Sequence, residues 1–160
     1  MTGELAQTGA RVHRVGRYLG PGPFCLTYGD GLSNVDVSAL LRFHRAHGKL
    51  VTVTGVRPPS RFGELHLDGR QVTVFAEKPQ VTEGTINGGY FVVEREFIDQ
   101  YLDGRDALTL EGEPLQRAAR DGQLMVWPHD GFWQPMDTYR EWKLLHDLWN
   151  AGAPPWKVWP

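Results

Sequence analysis

Two aspartates stand in loop settings that could serve a cation. Asp30 lies between two glycines in Tyr28-Gly29-Asp30-Gly31, directly after the apolar run Phe24–Tyr28. If that run is a strand, Asp30 sits beyond its carboxyl end, where ligands collect in open α/β sheets. Its glycine neighbours would leave a cation unobstructed, and a Gly-Asp-Gly tight turn would use the same residues. Asp137 lies in Trp133-Gln134-Pro135-Met136-Asp137-Thr138, just ahead of a helix start. There it could favour the helix dipole by roughly 0.3–1 kcal/mol, or hold a metal. Together the two acids have the donor chemistry of a Mg²⁺ site, which commonly takes one or two carboxylates plus substrate phosphates and waters. The two lie far apart in sequence, so spacing does not decide whether they meet.

Lys78 sits between Glu77 and Pro79. Pro79 pushes the preceding backbone toward an extended shape, which fixes where the ammonium points and suits a phosphate. A solvated Glu-Lys pair at a hairpin end would look the same. Asn87-Gly88-Gly89 could present backbone N–H groups to a sugar, or form a β-bulge. His44 and His47 are three apart, as metal ligands on a helix can be, but no Cys or acid accompanies them at metal-site spacing. They read as a surface face, and Cys25 reads as core. No G-x-G-x-x-G or phosphate loop is present, and no Ser or Cys has a nucleophile context.

The elements that would position these residues alternate between strand and helix. A short helix is expected within Val12–Leu19, then a strand over Phe24–Tyr28 with Gly29–Gly31 as its loop. Val37, Leu40, Leu41 and His44 share one face of a helix over about Asp36–His47, with Gly48 suited to end it. Lys49–Val56 is β-branched and reads as a strand. The runs Phe62–Leu67 and Gln71–Phe75 flank Asp68-Gly69, a strong hairpin signal. Ile86–Val93 reads as a strand, Glu96–Leu102 and Pro114–Asp121 as helices, and Leu124–Trp127 as a short strand. Thr138 and Glu141 fit a capping box before a final helix whose stripe is Trp142, Leu145, Leu148 and Trp149. This alternation, with one hairpin, is that of a mixed α/β sheet. No repeat or linker breaks the chain, so one domain over residues 1–160 is expected.

Composition narrows the function classes. The 160 residues carry 17 Lys+Arg against 19 Asp+Glu, a formal net charge of −2. That balance gives no support to a nucleic-acid binder relying on phosphate attraction. Hydrophobic residues make up 41% and charged residues 22%, which fits neither disorder nor a membrane protein. A lone Cys25 cannot form an internal disulfide, which favours a reducing, cytoplasmic setting. All six tryptophans fall between Trp127 and Trp159, so the last part of the chain carries unusual apolar surface.

Taken together, TYGDG (27–31), FHRAHGK (43–49), PPSRFGEL (58–65), EKP (77–79), INGGYFV (86–92), GFWQPMDT (131–138) and APPWKVW (153–159) are a specific set. With them the chain resembles the glucose-1-phosphate cytidylyltransferases, from about Thr8 to Trp159. The resemblance implies a nucleotide-diphospho-sugar transferase fold, Rossmann-like, with a mixed, mostly parallel sheet flanked by helices. It implies a reaction of CTP with α-D-glucose 1-phosphate to give CDP-glucose and pyrophosphate, in nucleotide-sugar synthesis for surface polysaccharides such as O-antigen. It implies Mg²⁺ held by Asp30 and Asp137, which would approach at the carboxyl edge of one sheet close enough to share it, Lys78 and Asp30 as catalytic residues, and Arg11, Gly29, Glu77, Lys78, Asn87 and Gly88 as substrate-binding residues. Homo-oligomers are implied too. The family's opening G-G-x-G-T-R-L loop is not among these residues, and its Thr-Gly-Gly-Arg reads Thr8-Gly9-Ala10-Arg11. The chain therefore reads as an N-terminally truncated member. It is expected to be impaired in turnover, or to be a remnant keeping sugar-phosphate binding or an oligomerisation surface.

Overall fold

The computed structural model describes residues 1–58, 64–76 and 84–159. The helices are α1 (Thr8–Val15), α2 (Val37–His47), α3 (Arg95–Tyr101), α4 (Glu113–Arg120) and α5 (Tyr139–Asn150). The strands are β1 (Phe24–Thr27), β2 (Gly31–Ser33), β3 (Val51–Val56), β4 (Glu64–Asp68), β5 (Gln71–Ala76), β6 (Ile86–Val93), β7 (Leu124–His129) and β8 (Trp133–Pro135). A four-stranded sheet has the order β1-β6-β3-β7, and β2–β8 and β4–β5 form two-stranded ladders. The α/β class holds, with a mixed sheet flanked by helices. The pairs β1–β6, β2–β8 and β4–β5 run antiparallel. Among the described residues no helix is long and apolar enough to cross a membrane.

The chain divides into two compact units. The first comprises Met1–Tyr28, Asp36–Thr54 and Gly89–Trp127. Its core gathers Val51, Phe91, Val93, Phe97, Ile98, Leu102, Leu108, Leu110 and Ala118, from β3, β6, α3, α4 and the segment between the two helices. Helix α1 lies close to the Leu108–Leu110 segment because Gly9 has no side chain: a Cβ there would fall 2.9 Å from the Leu108 carbonyl. The second unit comprises Gly29–Val35, Gly55–Gly88 and Pro128–Pro160. It holds the β2–β8 ladder, the β4–β5 hairpin and α5.

Several local expectations hold with shifted bounds. The first helix begins at Thr8 and gives way to a 3-10 turn over Gly16–Tyr18. Asp36 caps α2 by accepting the Ala39 N–H at 2.9 Å, and Gly48 ends it in the left-handed region at φ 65. The β4–β5 hairpin closes at Gly69–Arg70, with Gly69 at φ 57. The Thr138–Glu141 capping box is present.

Three residue readings are corrected. Cys25 is exposed. Strand β1 stands at the end of the sheet order, and its exposure alternates, so Phe24 and Leu26 meet the core while Cys25 faces away. His44 lies only 1% exposed, inside the first unit, rather than on a surface face. In α5, Leu145 is buried while Trp142 and Trp149 remain exposed, so the apolar stripe is covered only at its centre.

Candidate active site

The short β2–β8 ladder sets the backbone of both aspartates. Its register pairs Gly31 with Pro135, Leu32 with Gln134 and Ser33 with Trp133. The Met136 N–H donates to the Asp30 carbonyl at 2.7 Å, and the Asn34 N–H to the Phe132 carbonyl at 3.1 Å. Antiparallel pairs alternate between hydrogen-bonded and non-hydrogen-bonded rungs. With Asp30–Met136 and Asn34–Phe132 bonded, Gly31–Pro135 is a non-bonded rung, so Pro135 costs the ladder nothing. The residue after Met136 is Asp137. The ladder thus pairs Asp30 with Met136, and Asp137 stands one residue beyond that pair.

Capping does not consume Asp137. The Thr138 hydroxyl accepts the Glu141 N–H at 3.3 Å. Glu141 in turn accepts the N–H groups of Asp137 at 3.0 Å and Thr138 at 2.9 Å. The Asp137 carboxylate is left exposed ahead of the positive end of α5. Asp30 is exposed as well. Among the described residues no His, Cys, Asp and Glu cluster of three or more could hold a metal. Two exposed carboxylates without a third ligand fit Mg²⁺, which keeps waters and takes substrate phosphates for its remaining positions.

A third strand reaches this ladder through one side chain. The indole Nε1–H of Trp133 donates to the Gly88 carbonyl at 2.7 Å. Gly88 is buried and Asn87 exposed, at the start of β6. In the first unit, Gly89 has φ 78, and a Cβ on it would fall 2.7 Å from Cδ2 of Tyr28. The Tyr28 N–H donates to the Gly89 carbonyl at 3.1 Å, in register with Thr27 opposite Tyr90. Gly89 therefore answers a close ring approach and a left-handed backbone.

A model described as Nucleotidyl transferase matches residues 15–138. The chain belongs to the nucleotidyl transferase family. The match takes in Asp30, Gly88 and Asp137. Among its relatives is the glucose-1-phosphate cytidylyltransferase of Salmonella typhi, 46% identical over 99% of this chain and 61% of that protein. Its Salmonella typhimurium counterpart matches at the same 46% identity, coverage of 99% and share of 61%. The resemblance read from the motifs is thereby matched over nearly the whole chain, which spans about three-fifths of those relatives. HddC from Yersinia pseudotuberculosis has the same fold, with TM-score 0.63 and 18% identity over 86% of this chain and 60% of that one.

The other site candidates of this nucleotidyl transferase are placed as follows. Gly29 is exposed, and open space surrounds the position its Cβ would take. Arg11 belongs to α1 of the first unit, where it donates to Thr2 Oγ1 at 2.9 Å and to the Glu4 carbonyl at 3.4 Å. Glu77 and Lys78 lie outside the described residues. Reasoning from sequence missed Trp133. Its one available signal was a large aromatic in a three-residue run between Gly131 and Pro135.

A second polar array occupies the first unit. The Lys49 N–H donates to His47 Nδ1 at 2.9 Å, so neutral His47 carries its proton on Nε2 and offers it to Thr52 Oγ1 at 2.7 Å. The Thr52 hydroxyl then donates to His44 Nδ1 at 2.8 Å, and His44 Nε2–H faces Glu94 Oε1 at 3.2 Å. Burial holds His44 below the usual imidazole range against the pull of Glu94, and Arg45 adds to the depression. Burial also lowers His47, helped by His44 and Lys49.

Proposed function

We propose that this chain carries the sugar-phosphate and metal half of a glucose-1-phosphate cytidylyltransferase reaction. An oxygen of α-D-glucose 1-phosphate attacks the α-phosphorus of CTP in line. The new P–O bond forms as the bond to the β-phosphate oxygen breaks, giving CDP-glucose and pyrophosphate. The observation that carries the reading is the 2.7 Å backbone bond from Met136, the residue before Asp137, to Asp30, in a chain 46% identical to such transferases.

In this reading Asp30 and Asp137 hold Mg²⁺, and both are exposed for it. The ion would neutralise phosphate charge that otherwise keeps two anionic reactants apart. Lys78 binds the sugar phosphate and, with Asp30, is assigned a catalytic role by motif. Glu77, Asn87, Gly88 and Gly29 contact the sugar phosphate, and Arg11 reaches the nucleotide phosphates. No covalent enzyme intermediate is required, so holding the reactants aligned supplies most of the acceleration. The G-G-x-G-T-R-L loop that would hold the triphosphate is not among these 160 residues. We assign the protein to nucleotide-sugar synthesis for surface polysaccharide, in the cytoplasm, as a homo-oligomer.

Calorimetry on the 160-residue protein tests the reading. Glucose 1-phosphate should bind in the presence of Mg²⁺, and Asp137→Ala should weaken that binding at least tenfold, an order-of-magnitude estimate from the loss of one carboxylate–metal contact. Pyrophosphate release from CTP should be undetectable for these residues by themselves. Equal binding by wild type and Asp137→Ala defeats the metal assignment. Robust turnover lost in Asp137→Ala would show that the loop is dispensable.

A further inference from the structure

The indole of Trp133 spans two parts of the second unit that sequence alone keeps 45 residues apart. An indole has a single donor and no acceptor, so its hydrogen bond is an all-or-none commitment. Trp133 spends it on the carbonyl of buried Gly88 at 2.7 Å. That bond sets the plane of the peptide following Gly88, and with it the end of the Asn87–Gly88 segment. Gly31 lies beside the indole: a Cβ there would meet Nε1 at 3.8 Å, an ordinary van der Waals contact. Ser33 and Trp133 form a non-hydrogen-bonded rung of the ladder, where paired side chains stand closest. Three residues further along, β8 delivers Met136 to Asp30 and the chain enters Asp137.

We infer that Trp133 is a positioning residue, whose indole N–H ties the Asn87–Gly88 backbone to the strand bearing Asp137 and so couples sugar-phosphate binding to the metal carboxylates. The inference rests on the reading of Asp30 and Asp137 as metal ligands and of Asn87–Gly88 as sugar contacts. It adds a residue that touches neither ligand. Coupling between two ligands is reciprocal, so it can be read from either side.

The test uses the 160-residue protein with Mn²⁺ and glucose 1-phosphate as probes. Mn²⁺ affinity is read by electron paramagnetic resonance with and without the sugar phosphate. Trp133→Phe keeps the ring and removes the donor. Its Mn²⁺ affinity alone should stay within about twofold of wild type, because the Met136–Asp30 bond is untouched. The enhancement of Mn²⁺ binding by glucose 1-phosphate should fall roughly five- to tenfold, the scale of one ordinary hydrogen bond. A variant that is merely less stable would not alter that ratio. If Asp137→Ala abolishes Mn²⁺ binding while Trp133→Phe retains full coupling, the Trp133 inference alone is wrong. If wild type binds neither probe, or Asp137→Ala binds Mn²⁺ normally, the underlying reading fails and the inference with it. A second measurement needs no variant fold. In wild-type protein with ¹⁵N-labelled tryptophan, the Trp133 indole proton should be protected from exchange and its resonance should move on adding glucose 1-phosphate. An unprotected indole, or one indifferent to the ligand, overturns the inference.

Discussion

The carboxylate of Glu141 accepts the backbone N–H of Asp137 at 3.0 Å while it also accepts that of Thr138 at 2.9 Å. One side chain thus closes the capping box of α5 and fixes the peptide that presents Asp137. The cap is complete without the Asp137 carboxylate, which frees that group for another task. The stretch Asp137–Glu141 therefore links helix stability to the candidate metal site.

Removing Glu141 should expose that link. Glu141→Ala leaves two backbone donors without their acceptor at the start of α5. The expected loss is about 1 kcal/mol, or roughly 2–4 °C in Tm for a chain of this size. Thr138→Ala should cost a similar amount through the other half of the box. Mn²⁺ affinity should fall in Glu141→Ala, where the Asp137 peptide is released, and fall less in Thr138→Ala, where the bond to Asp137 survives. Equal Mn²⁺ affinity in all three proteins would show that Asp137 is placed by something other than Glu141.

Two glycines near the candidate site should behave oppositely. Gly89 combines φ 78 with a Tyr28 ring carbon 2.7 Å from where a Cβ would stand. Gly89→Ala should destabilise by about 1–3 kcal/mol, from backbone strain and forced movement of the ring. Gly29 has open space and no positive φ. Gly29→Ala should leave Tm within about 2 °C, the scale of an ordinary surface change. Thermal melts of the two variants decide this, and a Gly89→Ala melt equal to wild type would count against the Tyr28 contact.

The helices, the main strands and the hairpin were legible because each carries a local signal: a cap, an apolar face, or a β-branched run closed by a turn. Asp30 and Asp137 were legible as candidates because glycines and a capping box surround them. The ladder between their segments was not. Gly31–Ser33 and Trp133–Pro135 are three residues each, too short for an alternation pattern, and Pro135 argues against a strand until its rung is known to need no N–H. His44 was misread because a lone imidazole on an apolar face looks the same whether it meets water or partners. Its partners Thr52 and Glu94 are remote in sequence and only the fold supplies them. Trp133 was missed for the same reason, since its partner Gly88 offers only a backbone carbonyl.

The histidine array makes stability depend on pH in a defined direction. The bond from the Lys49 N–H to Nδ1 requires a neutral His47, and burial disfavours charge on His44 as well. Both folded-state pKa values lie below the usual 6.5. The unfolded chain therefore binds more protons as pH falls through 6.5, and stability falls with it. The slope is at most about 1.4 kcal/mol per pH unit for each imidazole. It flattens above the ordinary histidine pKa and again once the folded values are passed. His47→Gln should shallow the slope between about pH 7 and 5.5. Denaturant melts across that window decide it, and wild-type stability that is flat or rises on acidification would contradict the neutral array.

The tryptophan-rich tail combines one buried indole with two exposed ones, which the homo-oligomer proposed above would use at a subunit contact. Trp156 is 7% exposed and packs on the Phe132 ring at 5.5 Å, so it belongs to the second unit's own core. Trp149 and Trp159 are each 53% exposed. Large aromatics left in water are the kind of residue that anchors interfaces. Trp156→Ala should cost about 3–5 kcal/mol, as expected for emptying a buried aromatic site. The double change Trp149→Glu with Trp159→Glu should leave the melt nearly unmoved, because neither side chain is enclosed. It should instead lower the mass seen by light scattering, since a charge at a subunit contact must be desolvated without a partner. Wild-type protein that is already monomeric at micromolar concentration would rule out the subunit contact, and a double variant of unchanged oligomeric mass would place that contact elsewhere on the molecule.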